Sequence, residues 1–208
     1  MNYDGPLSFR EFMVREQSPL AMIHDAVLQF LEGRDDAVLF GAQAVNAYVG
    51  EVRATQDVDV YSTRAALLAE EIRQRLHAQF HIALRIREVA GGEGFRIYQL
   101  REAGNRHLVD VRQTGELPPS RRIDKVLVVD PAELIVGKTL AYVARRGTPK
   151  AGTDWRDLAS LLLTFPALKA IEGEVMARLT ARGASEEVRQ AWSELVSTTI
   201  TAEDDDGY

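Results

Sequence analysis

Two aspartates separated by one residue are the clearest chemical feature of this sequence. Asp57 and Asp59 belong to a segment in which acids and apolar residues alternate, Asp57-Val58-Asp59-Val60-Tyr61. Alternate side chains of a strand point to the same face, so the two carboxylates are predicted to lie side by side while the valines face the core. Neighbouring carboxylates repel each other, and a bound dication removes that repulsion. The pair therefore predicts a site for magnesium, which binds hard oxygen ligands together with substrate phosphates.

A third acid is predicted to complete the site. Asp110 lies between core residues in Leu108-Val109-Asp110-Val111, which is the pattern of a single acid on a buried strand. If that strand lies next to the aspartate pair, its carboxylate reaches the same face of the sheet. A lone acid on a strand can equally face water, so the sequence leaves two interpretations of Asp110: a third ligand or a solvated surface charge.

Gly41 supplies the second half of the predicted chemistry. It follows the apolar run Ala37 to Phe40, and the segment from Gln43 to Tyr48 is predicted to be helical. A strand that ends in glycine and leads into a helix brings backbone N–H groups close to an anion. A triphosphate bound there would meet a cation held by the aspartates, in position for in-line attack on its α-phosphorus.

The elements that must position these residues follow from the spacing of apolar side chains. Helices are predicted over residues 20–31, 43–48, 65–80, 131–146, 154–163, 166–182 and 185–197, and strands over residues 37–40, 57–61, 82–89, 94–100, 107–112 and 125–129. Asp130, Thr153 and Ser185 are the predicted helix caps. Residues 145–152 are predicted to form a basic loop that contains glycine and proline.

This element order predicts an α/β (α+β) fold in which a mixed sheet flanked by helices is followed by a C-terminal helical region. We expect an α/β domain over residues 1–130, a helical region over residues 131–200 and an acidic tail over residues 201–208.

Composition limits the classes of function. The chain has 208 residues and a net charge of −6, so a broad basic surface that coats nucleic acid is not expected, although a local basic pocket remains compatible. The absence of cysteine excludes thiolate zinc sites and cysteine nucleophiles, and it is compatible with a reducing cytoplasm, the expected location. Residues Met1 to Arg15 do not resemble a signal peptide, and no apolar run is long enough to predict a membrane helix.

The residues around the aspartate pair resemble a known superfamily. The order of strand, Gly41, helix and then Arg53-Ala54-Thr55-Gln56-Asp57-Val58-Asp59-Val60 is similar to that of the DNA polymerase β-like nucleotidyltransferases. Within them, the sequence resembles the AbiEii/AbiGii-type group of toxins from bacterial toxin–antitoxin systems, over roughly Ala37 to Leu163. The resemblance implies that Asp57 and Asp59 bind the metal, that Asp110 is the third acid, and that Gly41 is the family's first glycine.

Two downstream segments extend the resemblance. Pro131-Ala132-Glu133-Leu134-Ile135-Val136-Gly137-Lys138 is similar to a family segment whose lysine contacts nucleotide phosphates, which implies that role for Lys138. The segment from Arg145 to Lys150, followed by Asp154-Trp155-Arg156-Asp157-Leu158, resembles a late motif and implies that Asp154 and Asp157 belong to the site. The nucleotide-binding residues implied are Gly41, Ala42, Arg53, Thr55, Lys138, Lys150 and Asp154, and the catalytic residues implied are Asp57, Asp59, Asp110 and Asp157.

The sequence departs from the family pattern at two positions. Ala42 stands where many members have serine or glycine, so only backbone contacts to phosphate are expected there. Thr153 stands where a lysine is common, and Lys150 is the residue that could replace it from the basic loop.

The function implied by the resemblance is transfer of a nucleoside monophosphate from a nucleoside triphosphate to an acceptor hydroxyl, with magnesium or manganese as cofactor. The implied acceptor is the 3′ end of transfer RNA, whose phosphates the basic loop 145–150 would meet. The acidic net charge favours a cationic small molecule instead, and a protein hydroxyl, such as that of a cognate antitoxin, is a third option. The alternative to an enzyme is a degenerate member that binds a nucleotide or a partner through its helical half.

Overall fold

Seven strands form one mixed sheet in the computed structural model, which describes residues 20–102 and 104–202. They are β1 (Ala37–Phe40), β2 (Val58–Ser62), β3 (Leu84–Val89), β4 (Gly94–Gln99), β5 (Arg106–Gln113), β6 (Ser120–Ile123) and β7 (Val126–Val129). Their order across the sheet is β3-β4-β5-β2-β1-β7-β6. β2 runs parallel to β5 and antiparallel to β1, so the strand that follows Asp57 lies at the centre of the sheet.

Helices precede, interrupt and follow these strands. They are α1 (Leu20–Leu31), α2 (Gly41–Asn46), α3 (Ala65–Phe80), α4 (Pro131–Ala144), α5 (Pro149–Thr164), α6 (Glu174–Ala181) and α7 (Glu186–Ser197). Short 3₁₀ turns also occur at Ala90–Gly92 and Pro166–Leu168. The mixed sheet with flanking helices confirms the predicted fold class.

Part of the core lies between α3 and one face of the sheet, and the same buried cluster continues into α1 and the C-terminal helices. α3 buries Leu68, Ile72 and Leu76, which recur at the spacing of one helical face. Val58 and Val60 of β2 are completely buried, as the alternating pattern of that segment predicts. Burial of the valines fixes the register of β2 and turns Asp59 toward the opposite face.

Several predicted elements are found with the predicted bounds, and β6 is the main element that the sequence pattern missed. β6 is an edge strand with two exposed arginines, Arg121 and Arg122, and it lacks the apolar alternation that marks a half-buried strand. Asp124 and Lys125 both have positive φ and form a two-residue hairpin turn, so Lys125 belongs to the turn and not to the predicted strand.

Two predictions in the helical half were wrong. Residues 149–152 belong to α5, which starts at Pro149 after an extended Thr148, so Thr153 lies inside the helix and does not cap it. Proline at the first helical position is itself a start signal. The helix predicted over 166–182 is divided, because a 3₁₀ turn ends near Leu168 and α6 begins only after the extended Gly173. The caps at Asp130 and Ser185 are confirmed, since both side chains accept backbone N–H bonds.

The predicted domain division at residue 130 coincides with the passage from β7 to α4, and it stays a prediction. Residues 203–208 of the predicted acidic tail and the N-terminal stretch Met1 to Arg15 lie outside the described residues. Among the helices that the structure describes, none combines the length and the apolarity that a membrane span requires.

Candidate active site

Gly41 lies against the carboxylate of Asp59. Its φ of +70° is unfavourable for a residue with a side chain, and a Cβ atom placed there would stand 2.7 Å from Cγ of Asp59 and would overlap the carboxylate oxygen. The two residues meet because Phe40 and Asp59 are cross-strand partners on β1 and β2. The first turn of α2 lies beside Asp59, and no side chain caps it. The backbone N–H groups of this turn therefore have no capping side chain as a hydrogen-bond acceptor.

Asp59 stands between two other acids. It is the direct cross-strand partner of Asp110 on the parallel strand β5, and Asp57 precedes β2 by one residue. Burial raises the pKa of Asp59 to about 7, and the negative charges of Asp57 and Asp110 contribute to the rise. The alternation of the sequence therefore predicted correctly that Asp59 lies on the face opposite the buried valines, although the strand itself begins at Val58.

Asp57 has a histidine partner. His107 Nδ1 lies 2.9 Å from Oδ2 of Asp57, and this hydrogen bond holds the pKa of Asp57 below its ordinary value despite partial burial. The second ring nitrogen of His107 lies 3.1 Å from the carbonyl oxygen of Val109. Thr55 also fixes this segment, because its hydroxyl donates to the backbone carbonyl of Asp57 at 2.6 Å. The contact of Thr55 with a nucleotide stays a prediction.

Two arginines approach Asp110, which is 6% exposed. Arg96 Nε lies 3.6 Å and an Arg112 terminal nitrogen 3.7 Å from the same carboxylate oxygen. These distances are longer than those of good hydrogen bonds, so the arginines balance the charge of Asp110 without a close hydrogen bond to its carboxylate. Their positions also explain why a buried acid is tolerated here.

The late acids form a separate, buried ionic cluster with residues from three other segments. Arg53 binds Asp157 through two nitrogens at 2.6 and 2.9 Å, and Lys138 Nζ lies 2.5 Å from the same carboxylate. Asp154 is bonded to Arg145 at 2.9 Å and lies 3.6 Å from Lys138. Burial alone would raise the pKa of Asp157, but the bonds from Arg53 and Lys138 outweigh it and leave the pKa below its ordinary value.

The other predicted nucleotide-binding residues differ in their burial and in their contacts with the acids. Ala42 is buried behind Gly41 in α2, and Lys150 is exposed in the first turn of α5, where its charge lowers the pKa of Asp57. Arg53 and Asp154, predicted to bind nucleotide, have internal partners, and their contact with a ligand stays a prediction. Lys138 connects the two groups of acids, because its positive charge also lowers the pKa of Asp59.

The basic loop differs from the expectation of a free cationic surface. Arg145 is paired with Asp154, and Arg146 lies near Glu187 at 3.4 Å and Glu194 at 3.6 Å. These acids neutralise much of the positive charge that the sequence places there.

The donor set fits a hard dication. Asp57, Asp59 and Asp110 offer carboxylate oxygens, and burial together with the charges of Asp57 and Asp110 raises the pKa of Asp59 in spite of Arg112 and Lys138. A bound dication would stabilise the ionised form of this carboxylate. Within the residues described, no three acidic or histidine side chains are already grouped as ligands of a single ion. Two carboxylates are enough for magnesium when substrate phosphates supply further oxygens, so the pair Asp57 and Asp59 is the candidate ligand set.

The sequence also matches one protein family over most of its length. Residues 25–205 match the profile of the nucleotidyl transferase AbiEii toxin of type IV toxin–antitoxin systems. This chain belongs to the AbiEii family. It is therefore a nucleotidyltransferase of the AbiEii group. No curated protein matches the AbiEii chain at a significant level.

Solved structures share the fold of this AbiEii chain. JHP933 from Helicobacter pylori has a TM-score of 0.58 at 13% identity and aligns with 92% of this chain and 90% of that protein. A second H. pylori protein, provisionally described as a nucleotidyltransferase, has a TM-score of 0.59 at 14% identity over 91% of this chain and 93% of its own.

The Megavirus polyadenylate synthase has a TM-score of 0.58 at 12% identity and aligns with 71% of this chain. The AbiEii chain spans only 32% of the viral enzyme, about a third of its length. At these identities the likenesses concern the fold alone.

Sequence reasoning missed His107, Arg96 and Arg112 as neighbours of the acids. The sequence placed His107 beside a strand acid, but it gave no indication that the bonded acid would be Asp57, fifty positions earlier in the chain. A signal was available for the arginines, since Arg112 follows Asp110 by two residues and so shares its face of β5.

Proposed function

We propose that this chain transfers a nucleoside monophosphate from a nucleoside triphosphate to an acceptor hydroxyl in a magnesium-dependent reaction, with Asp57 and Asp59 as the metal ligands. The acceptor oxygen forms a bond to the α-phosphorus, the bond from that phosphorus to the oxygen that bridges to the β-phosphorus breaks, and pyrophosphate leaves. The observation that carries the proposal is the position of Asp59, which lies against Gly41 and between two other acids. This arrangement gathers three carboxylates beside the turn at which a phosphate would meet backbone N–H groups, and nearby cations balance their charge only in part.

A bound magnesium ion would supply positive charge to the phosphate oxygens of the triphosphate. The chain itself supplies the shape of the site. Gly41 lets the backbone of the β1–α2 turn approach the acids, and the N–H groups of that turn would bind phosphate oxygen. The methyl group of Ala42 is buried and adds no hydrogen bond of its own.

Lys138 is the proposed phosphate-binding cation. It is 12% exposed, bonded to Asp157, and close enough to Asp59 for its charge to lower the pKa of that acid. In the proposed complex its ammonium group contacts the triphosphate while Asp157 continues to orient it. Arg53 holds Asp157 from the other side, so the role proposed for Arg53 is to position this pair.

Asp110 is the acid proposed to receive the proton of the acceptor hydroxyl or to orient that hydroxyl. It is adjacent to Asp59 across the β2–β5 register, and Arg96 and Arg112 lie only loosely against it. Asp157 is the weaker candidate for this role, because the bonds from Arg53 and Lys138 lower its pKa and occupy both of its oxygens. A base with a depressed pKa accepts a proton less readily.

The proposed acceptor is a hydroxyl at the end of a nucleic acid, with the 3′ end of transfer RNA as the specific hypothesis. The family profile describes toxins of toxin–antitoxin systems, and a polyadenylate synthase shares the fold. A cognate antitoxin is the proposed protein partner. The basic loop 145–150 supports the acceptor less than the sequence implied, since its arginines are internally paired.

A transfer assay tests this function. The purified chain is incubated with each α-³²P-labelled nucleoside triphosphate, magnesium or manganese, and separately with transfer RNA, total RNA, single-stranded DNA, protein extract or an aminoglycoside. We expect label on RNA, none in EDTA, and at least a 100-fold lower rate for Asp59→Asn. Asp35→Asn is the matched control, because Asp35 is an exposed aspartate that pairs with Arg122 on the protein surface. An equal rate for Asp59→Asn, or nucleotide binding with no labelled product in any mixture, would falsify the proposal.

A further inference from the structure

One face of the sheet carries a group of arginines that leads away from the acids. We propose that this arginine face, formed by Arg85, Arg87, Arg96, Arg112 and Tyr98, binds the single-stranded end of a nucleic-acid acceptor. The inference rests on the proposed function and names the surface on which its acceptor lies.

Strand register places these side chains on the face that holds the acids. Asp59 is the cross-strand partner of Asp110, Asp110 is the partner of Arg96, and Arg96 is the partner of Arg87. Direct cross-strand partners project to the same face of a sheet. The 3.6 Å approach of Arg96 to Asp110 confirms the common face. Because neighbouring strands lie about 5 Å apart, Arg87 stands roughly 10 Å from Asp110, a distance that a few nucleotides can span.

A second row runs parallel to the first. Arg85 on β3 is the cross-strand partner of Tyr98 on β4, and Tyr98 is the partner of His107 on β5. The rings of Tyr98 and His107 lie 5.1 Å apart, and His107 contacts Asp57. The row therefore connects the half-buried ring of Tyr98 to Asp57 through His107. Aromatic rings such as that of Tyr98 stack with nucleic-acid bases.

Within residues 20–102 and 104–202, a helix covers the opposite face of these strands, and the arginine side chains of the arginine face are exposed to solvent. α3 is the helix that packs against β3 and β4, and it covers the face that carries the buried Ile97 and Val109. Arg85 and Arg87 are exposed, and Arg96 and Arg112 retain 40% and 47% of their side-chain exposure. This face is continuous with the acids, so a bound strand would lead its end directly to Asp110.

Its charges are available to an anion. In the described part of the chain, Arg85 and Arg87 have no acidic partner, whereas Arg96 and Arg112 lie 3.6 and 3.7 Å from the carboxylate of Asp110. By contrast, Arg145 and Arg146 of the basic loop are paired with acids. Unpaired arginines beside an acidic site match a polyanion whose phosphates lie outside the reaction centre. They disfavour a cationic small molecule, which they would repel from this side.

Binding of RNA separates this inference from the transfer reaction. The anisotropy of a 5′-labelled single-stranded RNA decamer is measured with the Asp59→Asn chain, without nucleotide, at several salt concentrations. The same measurement is made with Arg85→Gln and Arg87→Gln, singly and together, in that background. Arg75→Gln is the matched control for the single variants, because Arg75 is an exposed arginine on α3, which packs on the opposite face of the sheet.

We expect the double variant to raise the Kd at least tenfold and to reduce the slope of log K against log salt by about 1.4, since each phosphate contact on a single strand contributes about 0.7. The Arg75 variant should bind within twofold of its parent, and the affinity of the double variant for a fluorescent nucleoside triphosphate should not change. A single-stranded DNA of the same sequence shows whether the sugar matters, and binding of either polymer supports the surface.

An unchanged Kd and salt slope in the double variant would overturn the inference. So would equally tight binding of polyglutamate, which would indicate an acidic protein partner for these arginines. A chain that binds RNA with the expected salt slope but labels no acceptor would leave the arginine face intact and refute only the proposed transfer.

Discussion

The carboxylate of Asp59 lies in the space that a side chain at Gly41 would fill, at the end of β1. No side chain fits at position 41 without displacing the carboxylate, because a Cβ atom would stand 2.7 Å from Cγ and 2.9 Å from Cβ of Asp59. The glycine therefore has two functions, to provide a positive φ of 70° and to leave room for the acid. The backbone of the turn and the candidate ligand are thereby brought together.

Gly41→Ala should abolish nucleotidyl transfer, with at least a 100-fold loss of rate. The methyl group overlaps Asp59, so the carboxylate must move away from the position in which it lies beside the turn. Positive φ adds backbone strain, and we expect a loss of about 1–2 kcal/mol in the free energy of unfolding. Rates are measured by labelled transfer and stability by urea denaturation.

Gly33→Ala is the matched control. Gly33 has a φ of +72°, almost the same as Gly41, but no atom lies within 4 Å of a Cβ placed there. It should show the same loss of stability with a normal rate. Equal losses of rate in both variants would mean that strain, and not contact with Asp59, explains the effect.

Asp59 should make stability depend on pH in the absence of metal. Because its folded-state pKa is raised to about 7, the folded chain binds this proton more tightly than the unfolded chain, and stability falls as pH rises from about 4 to about 7. Asp59→Asn removes this fall. In EDTA at pH 8 we expect the variant to exceed the parent by on the order of 2 kcal/mol in the free energy of unfolding, with little difference at pH 4.

Urea denaturation across this pH range measures the difference between the two chains, so that other titrating groups cancel. Asp35→Asn, at an exposed acid, should follow the parent at every pH. If Asp59→Asn also parallels the parent from pH 4 to 8, the pKa of Asp59 is not raised in the folded chain, and the repulsion among the acids that the metal proposal invokes is absent.

The Arg53–Asp157 pair should couple strongly. It joins the segment before β2 to α5 across 104 residues, and Asp157 is 2% exposed. Removing one partner leaves a buried charge, so Arg53→Gln and Asp157→Asn should each cost about 3–5 kcal/mol, and a double-mutant cycle should give a coupling above about 1 kcal/mol.

Arg73 and Glu70 provide the reference cycle, because they form a short but largely exposed pair on α3. Their coupling should be below about 0.5 kcal/mol, since exposed pairs are screened by solvent. Similar couplings in both cycles would show that the buried cluster does not hold the two segments together.

The position of Asp59 on β2 could be predicted from the sequence because it depends on local periodicity. Alternation around Val58 and Val60 indicates which residues are buried, and the two aspartates must then share the other face. Asp110 followed by the same argument, once a neighbouring strand was assumed. The helices α1 and α3 were likewise predicted from apolar spacing with the bounds that the structure shows.

Contacts that depend on tertiary placement could not be predicted in this way. Periodicity does not indicate that His107 bonds Asp57, or that Arg53 reaches Asp157 in a helix more than a hundred residues away. The sequence also suggested that the loop 145–150 would be freely basic, because acids such as Glu187 lie far away in the chain and come close only in the fold. The arginine face could be recognised only from the strand register of the structure. The net charge of −6 gives no indication of a local group of arginines.

Manganese binding tests the central claim most directly. Electron paramagnetic resonance counts the Mn²⁺ ions bound by the chain in the presence of a triphosphate analogue that cannot be cleaved between its α- and β-phosphorus atoms. We predict one or two ions for the parent and for Asp35→Asn, and at least a tenfold weaker affinity for Asp57→Asn and for Asp59→Asn. Unchanged manganese affinity in both of these variants, with circular dichroism showing folded chains, would contradict the assignment of the cation to this pair of acids.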